Sequence, residues 1–226
     1  MKCLRLINVL AMFALASCST APPPDPAHEN SSGIGITMSV KNPSKRREHS
    51  PQTKMDEIYL VRLDKYDDPL ERSAFIPSNY SSDGVLYFLD LEPGRYSAVA
   101  GYYISDDVYS AGCSVRTICR YVGVYFDKKL IEATEVSVTP GRVVFMGDIV
   151  VSINSFYSGE PDGAQKLLYD RRLLAESGLS GGSMSKVSRN AAAEKIFLMT
   201  TKKQFEGSKW EKMVSRQLRD LKREGT

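Results

Sequence analysis

Histidine and tryptophan are nearly missing from this chain of 226 residues, which has two of the first and one of the second, and cysteine is scarce at four. Each scarcity closes off a kind of chemistry. His28 and His49 both fall in polar stretches, and neither has a Ser, Cys or carboxylate neighbour that reads as a catalytic set, so no nucleophile and base stand out. A Cys/His metal cluster has no spacing to support it. Gly33-Ile34-Gly35 lacks the third glycine of G-x-G-x-x-G and leads into a strand-like segment, which excludes a dinucleotide loop. Asp106 and Asp107 could offer oxygens to Ca2+, but calcium takes about six to eight oxygen ligands and no spaced acidic series accompanies them. No catalytic residue, metal or cofactor is therefore expected. The apolar run Leu6 to Ala16 also falls short of the ~20 residues a membrane-crossing helix needs.

That short run nevertheless carries information. Lys2 and Arg5 precede it, and a basic opening followed by a short apolar stretch is the layout of an export signal, here residues 1–17. It ends in Leu15-Ala16-Ser17-Cys18, which resembles the lipobox of bacterial lipoproteins. The resemblance implies diacylation of the Cys18 thiol, cleavage before it, and in many bacteria a third acyl chain on the freed amine. It places the chain in a bacterial cell envelope, anchored in the membrane through Cys18. Ser19, where an aspartate would imply retention in the inner membrane, points to the outer membrane. The chemistry is consistent: a thiolate is a good nucleophile, and at about 0.8 kcal/mol per buried methylene two or three chains anchor stably where one does not. Residues 18–33, with Pro22, Pro23, Pro24 and Pro26 followed by Ser31, Ser32 and Gly33, read as a tether without fixed structure.

Charge is unevenly placed behind the tether. Residues 18–185 carry 17 basic and 22 acidic side chains, and residues 186–226 carry 11 and 5, so an acidic body is followed by a basic tail.

Residues 34–155 read as strands: short runs of β-branched and aromatic residues divided by Gly, Pro, Asp and Ser. Ile34, Ile36, Met38 and Val40 alternate with small or polar residues as a half-buried strand should. In Gly84 to Tyr103, two alternating runs flank Glu92-Pro93-Gly94, which predicts a hairpin closed by a type II turn with Gly94 at positive φ. Leu91, Pro93, Gly94 and Tyr96 resemble the L-x-P-G-x-Y signature of transthyretin-like and carboxypeptidase-regulatory-like domains, with an echo in Val138-Thr139-Pro140-Gly141. The resemblance implies an antiparallel β-sandwich of about seven strands and carries no function, since such sandwiches host many.

Cys3 leaves with the signal and Cys18 takes lipid, so Cys113 and Cys119 remain. In an oxidising compartment they are expected to form a disulfide across a short loop; the alternative, a metal site, has too wide a spacing and no nearby histidine. Around them stand Tyr102, Tyr103, Tyr109 and Tyr121, whose rings and hydroxyls suit a glycan or protein recognition surface, although packing in a sandwich face is the simpler use of them.

Residues 160–226 read as a helical segment. Asp162 is expected to cap a helix carrying Leu167, Leu168, Leu173 and Leu174, and the Gly- and Ser-rich stretch 178–188 reads as a flexible connection. Asn190 caps a helix over 191–205, to which Ile196, Phe197 and Met199 supply apolar bulk. Trp210 opens a last helix with Val214, Leu218 and Leu221 on one stripe and basic residues mostly elsewhere. That helix could pack on the domain, dock in a partner with Trp210 as part of the recognition surface, or lie on an anionic membrane. Nucleic acid is not an expected partner of an exported lipoprotein. The sequence thus predicts a membrane-anchored envelope lipoprotein, not an enzyme, that supports or binds another envelope component, protein or glycan. The alternative is a cell-wall-directed hydrolase using a carboxylate pair that no spacing reveals.

Overall fold

β-Branched and aromatic residues set at alternate positions form most of the architecture, seen here in a computed structural model that describes residues 22–41, 52–64, 75–104, 121–154 and 178–224. The elements are β1 (Ser32–Lys41), β2 (Thr53–Lys54), β3 (Glu57–Arg62), β4 (Ile76–Pro77), β5 (Tyr80–Ser82), β6 (Val85–Leu91), β7 (Gly94–Ile104), β8 (Tyr121–Phe126), α1 (Lys128–Ala133), β9 (Val136–Val138), β10 (Val143–Asn154), β11 (Gly178–Ser188), α2 (Ala191–Gln204) and α3 (Lys209–Glu224). The chain is therefore mainly β with C-terminal helices. It is not an antiparallel sandwich of seven strands. Among the described residues, eleven strands form one mixed sheet in the order β4-β3-β7-β8-β11-β10-β1-β6-β5, with β2 on β1 and β9 on β7. Two of its pairs are parallel: β1 lies beside β10, with Met38 opposite Ile149, and β8 beside β11.

The sheet curls until its two halves face one another. Ile34, Ile36 and Met38 from β1, Phe88 from β6 and Val151 from β10 share one cluster with Ile58 and Leu60 from β3, Tyr96 and Ala98 from β7, and Phe126 from β8. Fully burying such an aliphatic or aromatic side chain contributes about 1.5–3 kcal/mol, so this inner face is the main source of stability.

The two Pro-Gly turns do a different job from the one expected. β6 and β7 occupy the predicted runs, but they do not pair with each other: β6 pairs with β1 and β5, and β7 with β3, β8 and β9. Residues 92 and 93 thus form an arch between the two halves of the curl. Its left-handed residue is Asp90, at φ +63°, and Gly94 is not in the positive-φ region. A Cβ at 94 would stand 2.8 Å from Arg62 Nε and 2.9 Å from an Asp64 carboxylate oxygen, so a side chain there would push the ends of the Arg62–Asp64 pair aside. The Tyr96 hydroxyl donates back to the Glu92 carbonyl (2.8 Å) and fixes the arch. Val138-Thr139-Pro140-Gly141 repeats the device, since β9 pairs with β7 while β10 pairs with β1 and β11, and Gly141 takes φ +70°.

Along β7, the neighbouring strand is interrupted. β8 pairs with residues 100–104 and β9 with residues 94–96, and α1 bulges out between them. Thr134, fully buried, fills the missing rung: its hydroxyl accepts from Ala98 N (3.0 Å) and lies 2.9 Å from Ser97 Oγ.

Residues 178–188 are the largest departure from the sequence reading. They form β11, whose start pairs with β8 and whose remainder pairs with β10, and so join the two halves of the curl. Their small side chains answer crowding: a Cβ on Gly182 would meet Val124 Cγ1 at 2.6 Å and Val151 Cγ1 at 2.9 Å. The helical segment accordingly begins at Ala191 among the described residues; the helix expected after Asp162 lies outside them.

The tether also departs from expectation over its described part, residues 22–33. Ser32 and Gly33 already belong to β1. Upstream, Pro23 is buried, the Trp210 indole donates to the Pro24 carbonyl (2.8 Å), and Ala27 N donates to Asp90 Oδ1 (2.8 Å).

Candidate functional site

The outer face of the β1–β6–β10 half is covered by α2 and α3. The Asn190 side chain accepts from Ala193 N (2.9 Å) and starts α2 where the sequence predicts. Gly207, at φ +81°, ends the turn after α2, and the Ser208 hydroxyl donates to Phe205 O (2.6 Å) at the head of α3. α2 turns Phe197 and Leu198 inward, and α3 turns Trp210 and Val214 inward, onto Val85, Tyr87, Leu89, Val143 and Phe145 of the sheet. The Phe197 ring stacks on Phe145 at 4.7 Å. Gly35 admits that ring, since a Cβ there would stand 2.4 Å from it. Gln217 extends the attachment: its amide donates to Val143 O (3.2 Å) and accepts from Val143 N (2.9 Å), as a neighbouring strand would.

Tyr87 is central to this layer. Its hydroxyl lies 2.9 Å from Thr201 Oγ1 and also bonds Gln204. Burial pushes it well above the ordinary tyrosine range, with Tyr80 and Asp83 adding to the shift and the Thr201 hydrogen bond opposing it.

With Phe197 and Leu198 committed inward, residues one turn-face away must look outward. Ile196 is 65 % exposed and Met199 58 %, large apolar side chains held at the surface of α2. Lys195, Lys202 and Lys203 flank them, all exposed. Across from this face, α3 presents Leu218 and Leu221, both half-buried, with exposed Arg219 and Lys222. Between the helices runs a groove of about 700 Å3, lined by Lys195, Met199, Lys202, Leu218, Arg219 and Lys222 among others, and by no acidic side chain among the described residues. Lys195, Lys202, Lys203 and Arg219 make no ion pair among the described residues. An apolar floor under a cationic rim suits an anionic amphiphile, which could place phosphate or carboxylate on the rim and carbon below it.

The residues singled out by sequence are dispersed. Cys18, Cys113, Cys119 and Tyr109, like His49, Asp106 and Asp107, lie outside the described residues. Tyr121 begins β8. Tyr102 is half-buried and packs against the small cluster of Val61, Val99, Ala100 and Tyr125 on the other outer face. Tyr103 is 5 % exposed and belongs to the inner core, and Trp210 is fully buried under the helical layer. His28 sits in the segment before β1, with Ser31 Oγ accepting from its backbone N–H (2.9 Å).

The Leu91–Tyr96 signature is likewise a structural device. Arg62 donates from Nε to Asp64 (2.8 Å) and from its two terminal nitrogens to Glu92 and to the Pro93 carbonyl (2.7 Å), and its guanidinium lies 6.0 Å from the Tyr96 ring centroid. The hydrogen bond from Arg62 holds the Asp64 carboxyl below its usual range. Among the described residues, no three His, Cys, Asp or Glu side chains gather closely enough to hold a metal. No described helix is long and apolar enough to cross a membrane. Comparison with protein families, with curated proteins and with solved structures finds no match for this chain.

Composition alone gives residues 196, 197 and 199 the same apolar character and does not set the outward pair Ile196 and Met199 apart from Phe197. At 100° per residue, the face that holds Phe197 and Thr201 cannot also hold Met199, and that count was available from sequence.

Proposed function

We propose that this chain is a lipid-anchored protein of a bacterial envelope, acylated at Cys18, that binds another envelope component through its α2–α3 face rather than catalysing a reaction. The observation that carries the binding half is the exposure of Ile196 and Met199 beside Lys195, Lys202 and Lys203. Burying each would contribute about 1.5–3 kcal/mol, and an apolar patch rimmed by charged residues is the kind of surface that marks an interaction site. The lipobox supports the anchor, and the oxidising compartment it implies supports a Cys113–Cys119 disulfide.

Two measurements test the two halves. Labelled palmitate should enter the protein in cells and be absent from Cys18→Ala; equal labelling of both would end the anchor reading. A photo-crosslinking residue at position 199 should capture an envelope component in intact cells, whereas the same residue at Lys128 on α1 should not. Identical adducts at the two positions would remove the α2–α3 face as the binding surface.

A further inference from the structure

From the geometry of the tether we infer that the α2–α3 groove docks on the anionic phospholipid surface of the membrane that holds Cys18. The inference rests on the acylation proposed above. Two observations choose this occupant over others.

The first is distance. The Trp210 indole holds the Pro24 carbonyl at the head of α3, and Lys209 Nζ lies 3.3 Å from Asp25. Six peptide units separate Cys18 from Pro24. At about 3.3–3.6 Å per residue, full extension reaches no more than ~22 Å. The Trp210 indole at the head of α3 is therefore confined within about 25 Å of the acylated cysteine. Leu218 is eight residues further along the helix, about 12 Å at 1.5 Å per residue. A tether running free to Gly33 would have set no such limit and no preferred face. The docked one brings the helical layer to the anchored end.

The second is charge. Attraction to an anionic bilayer fades within a Debye length, about 8 Å at physiological salt. A cationic face gains from it only if something holds it close, and the tether does so. Lys195, Lys202, Lys203 and Arg219 are then placed to meet phosphate groups, while Ile196 and Met199 reach the boundary between headgroup and acyl chain. Of the α3 stripe, Trp210 and Val214 are buried in the domain and take no part, while the half-buried Leu218 and Leu221 line the groove.

The test uses the full acylated protein in vesicles of phosphatidylcholine alone or mixed with phosphatidylglycerol, with amine-reactive labelling of each lysine read by mass spectrometry. Lys195, Lys202 and Lys203 should lose reactivity on phosphatidylglycerol vesicles and not on phosphatidylcholine, while Lys128, 82 % exposed on α1, stays unchanged on both. In Lys195→Gln/Lys202→Gln/Arg219→Gln, whose three sites are all exposed, the protection of the remaining Lys203 should disappear. For unanchored protein the partition onto anionic vesicles should fall about a hundredfold, at close to fivefold per charge. Equal protection on both vesicle types, or protection by poly-glutamate in solution with none on vesicles, would overturn the inference. Flotation with vesicles at high salt reads the anchor separately. Protein that fails to float there but still shows the lysine protection on phosphatidylglycerol at low salt would refute acylation and leave the lipid contact standing.

Discussion

The indole N–H of Trp210 donates to the carbonyl of Pro24 across 2.8 Å, tying the segment before the first strand to the start of the last helix, 186 residues away in the chain. The neighbouring Lys209–Asp25 pair is well exposed on both sides and such pairs contribute little, so the indole is what holds the segment. Trp210→Phe keeps most of the buried ring and removes the donor. It should cost about 1 kcal/mol in urea unfolding and should raise protease cleavage within 22–30. An unchanged cleavage rate would show that Pro23 packing alone secures the segment.

Gly182 should tolerate no side chain in the native junction. Gly182→Ala places a methyl group against Val124 and Val151, and overpacking of this kind costs about 1–3 kcal/mol. Val124→Ala also destabilises, by opening a cavity, yet the double variant should lose less than the sum of the two because the new methyl occupies the vacated space. Additive losses, measured by chemical denaturation, would contradict the packing described at this strand.

Thr134→Val replaces a buried hydroxyl by a methyl of similar size. The change creates an orphan, because Ala98 N loses its acceptor. A loss of about 1–3 kcal/mol is expected. Hydrogen exchange at Ala98 should quicken more than at Leu60, which lies on the paired β3 side.

Alkaline stability should report on Tyr87. The unfolded chain releases a tyrosine proton near pH 10, whereas burial makes the folded protein keep the one on Tyr87. Above about pH 10 the folded state then binds more protons, and stability falls as pH rises; below it the contribution is fully present. Tyr59 and Tyr96, also shifted upward by burial first, act in the same direction. Tyr87→Phe should be less stable at neutral pH, with the Thr201 hydroxyl and the Gln204 amide oxygen losing the Tyr87 hydroxyl, yet show a shallower decline of the urea midpoint above pH 10. Parallel profiles for the two proteins would remove Tyr87 as a cause.

Strand positions in the body were legible because alternation survives curling: Ile34, Ile36, Met38 and Val40 face inward as their spacing predicts. Partnership was not. Residues 85–91 and 94–104 look like a hairpin because a two-residue link leaves no sign in sequence of whether the chain turns back within a sheet or crosses to the other half of one. Stretch 178–188 was misread for a related cause, since Gly and Ser are chosen both where nothing packs and where two valines leave no room. Asn190 and the inward stripe Trp210, Val214 and Leu218 were readable, as local rules govern caps and helix faces. The groove needed two helices side by side, and no single periodicity contains that.

Strand β11 has a consequence in time. It links β8 to β10, yet it is made after both, so a chain emerging in order from residue 1 exposes two incomplete half-sheets until residue 188 has been delivered. Such late, long-range pairing is slow and leaves strand edges open in the meantime. A chain ending at residue 177 should fail to fold cooperatively and should be protease-sensitive throughout, a result that would set completion of the sheet, rather than collapse of its first strands, as the committed step of maturation.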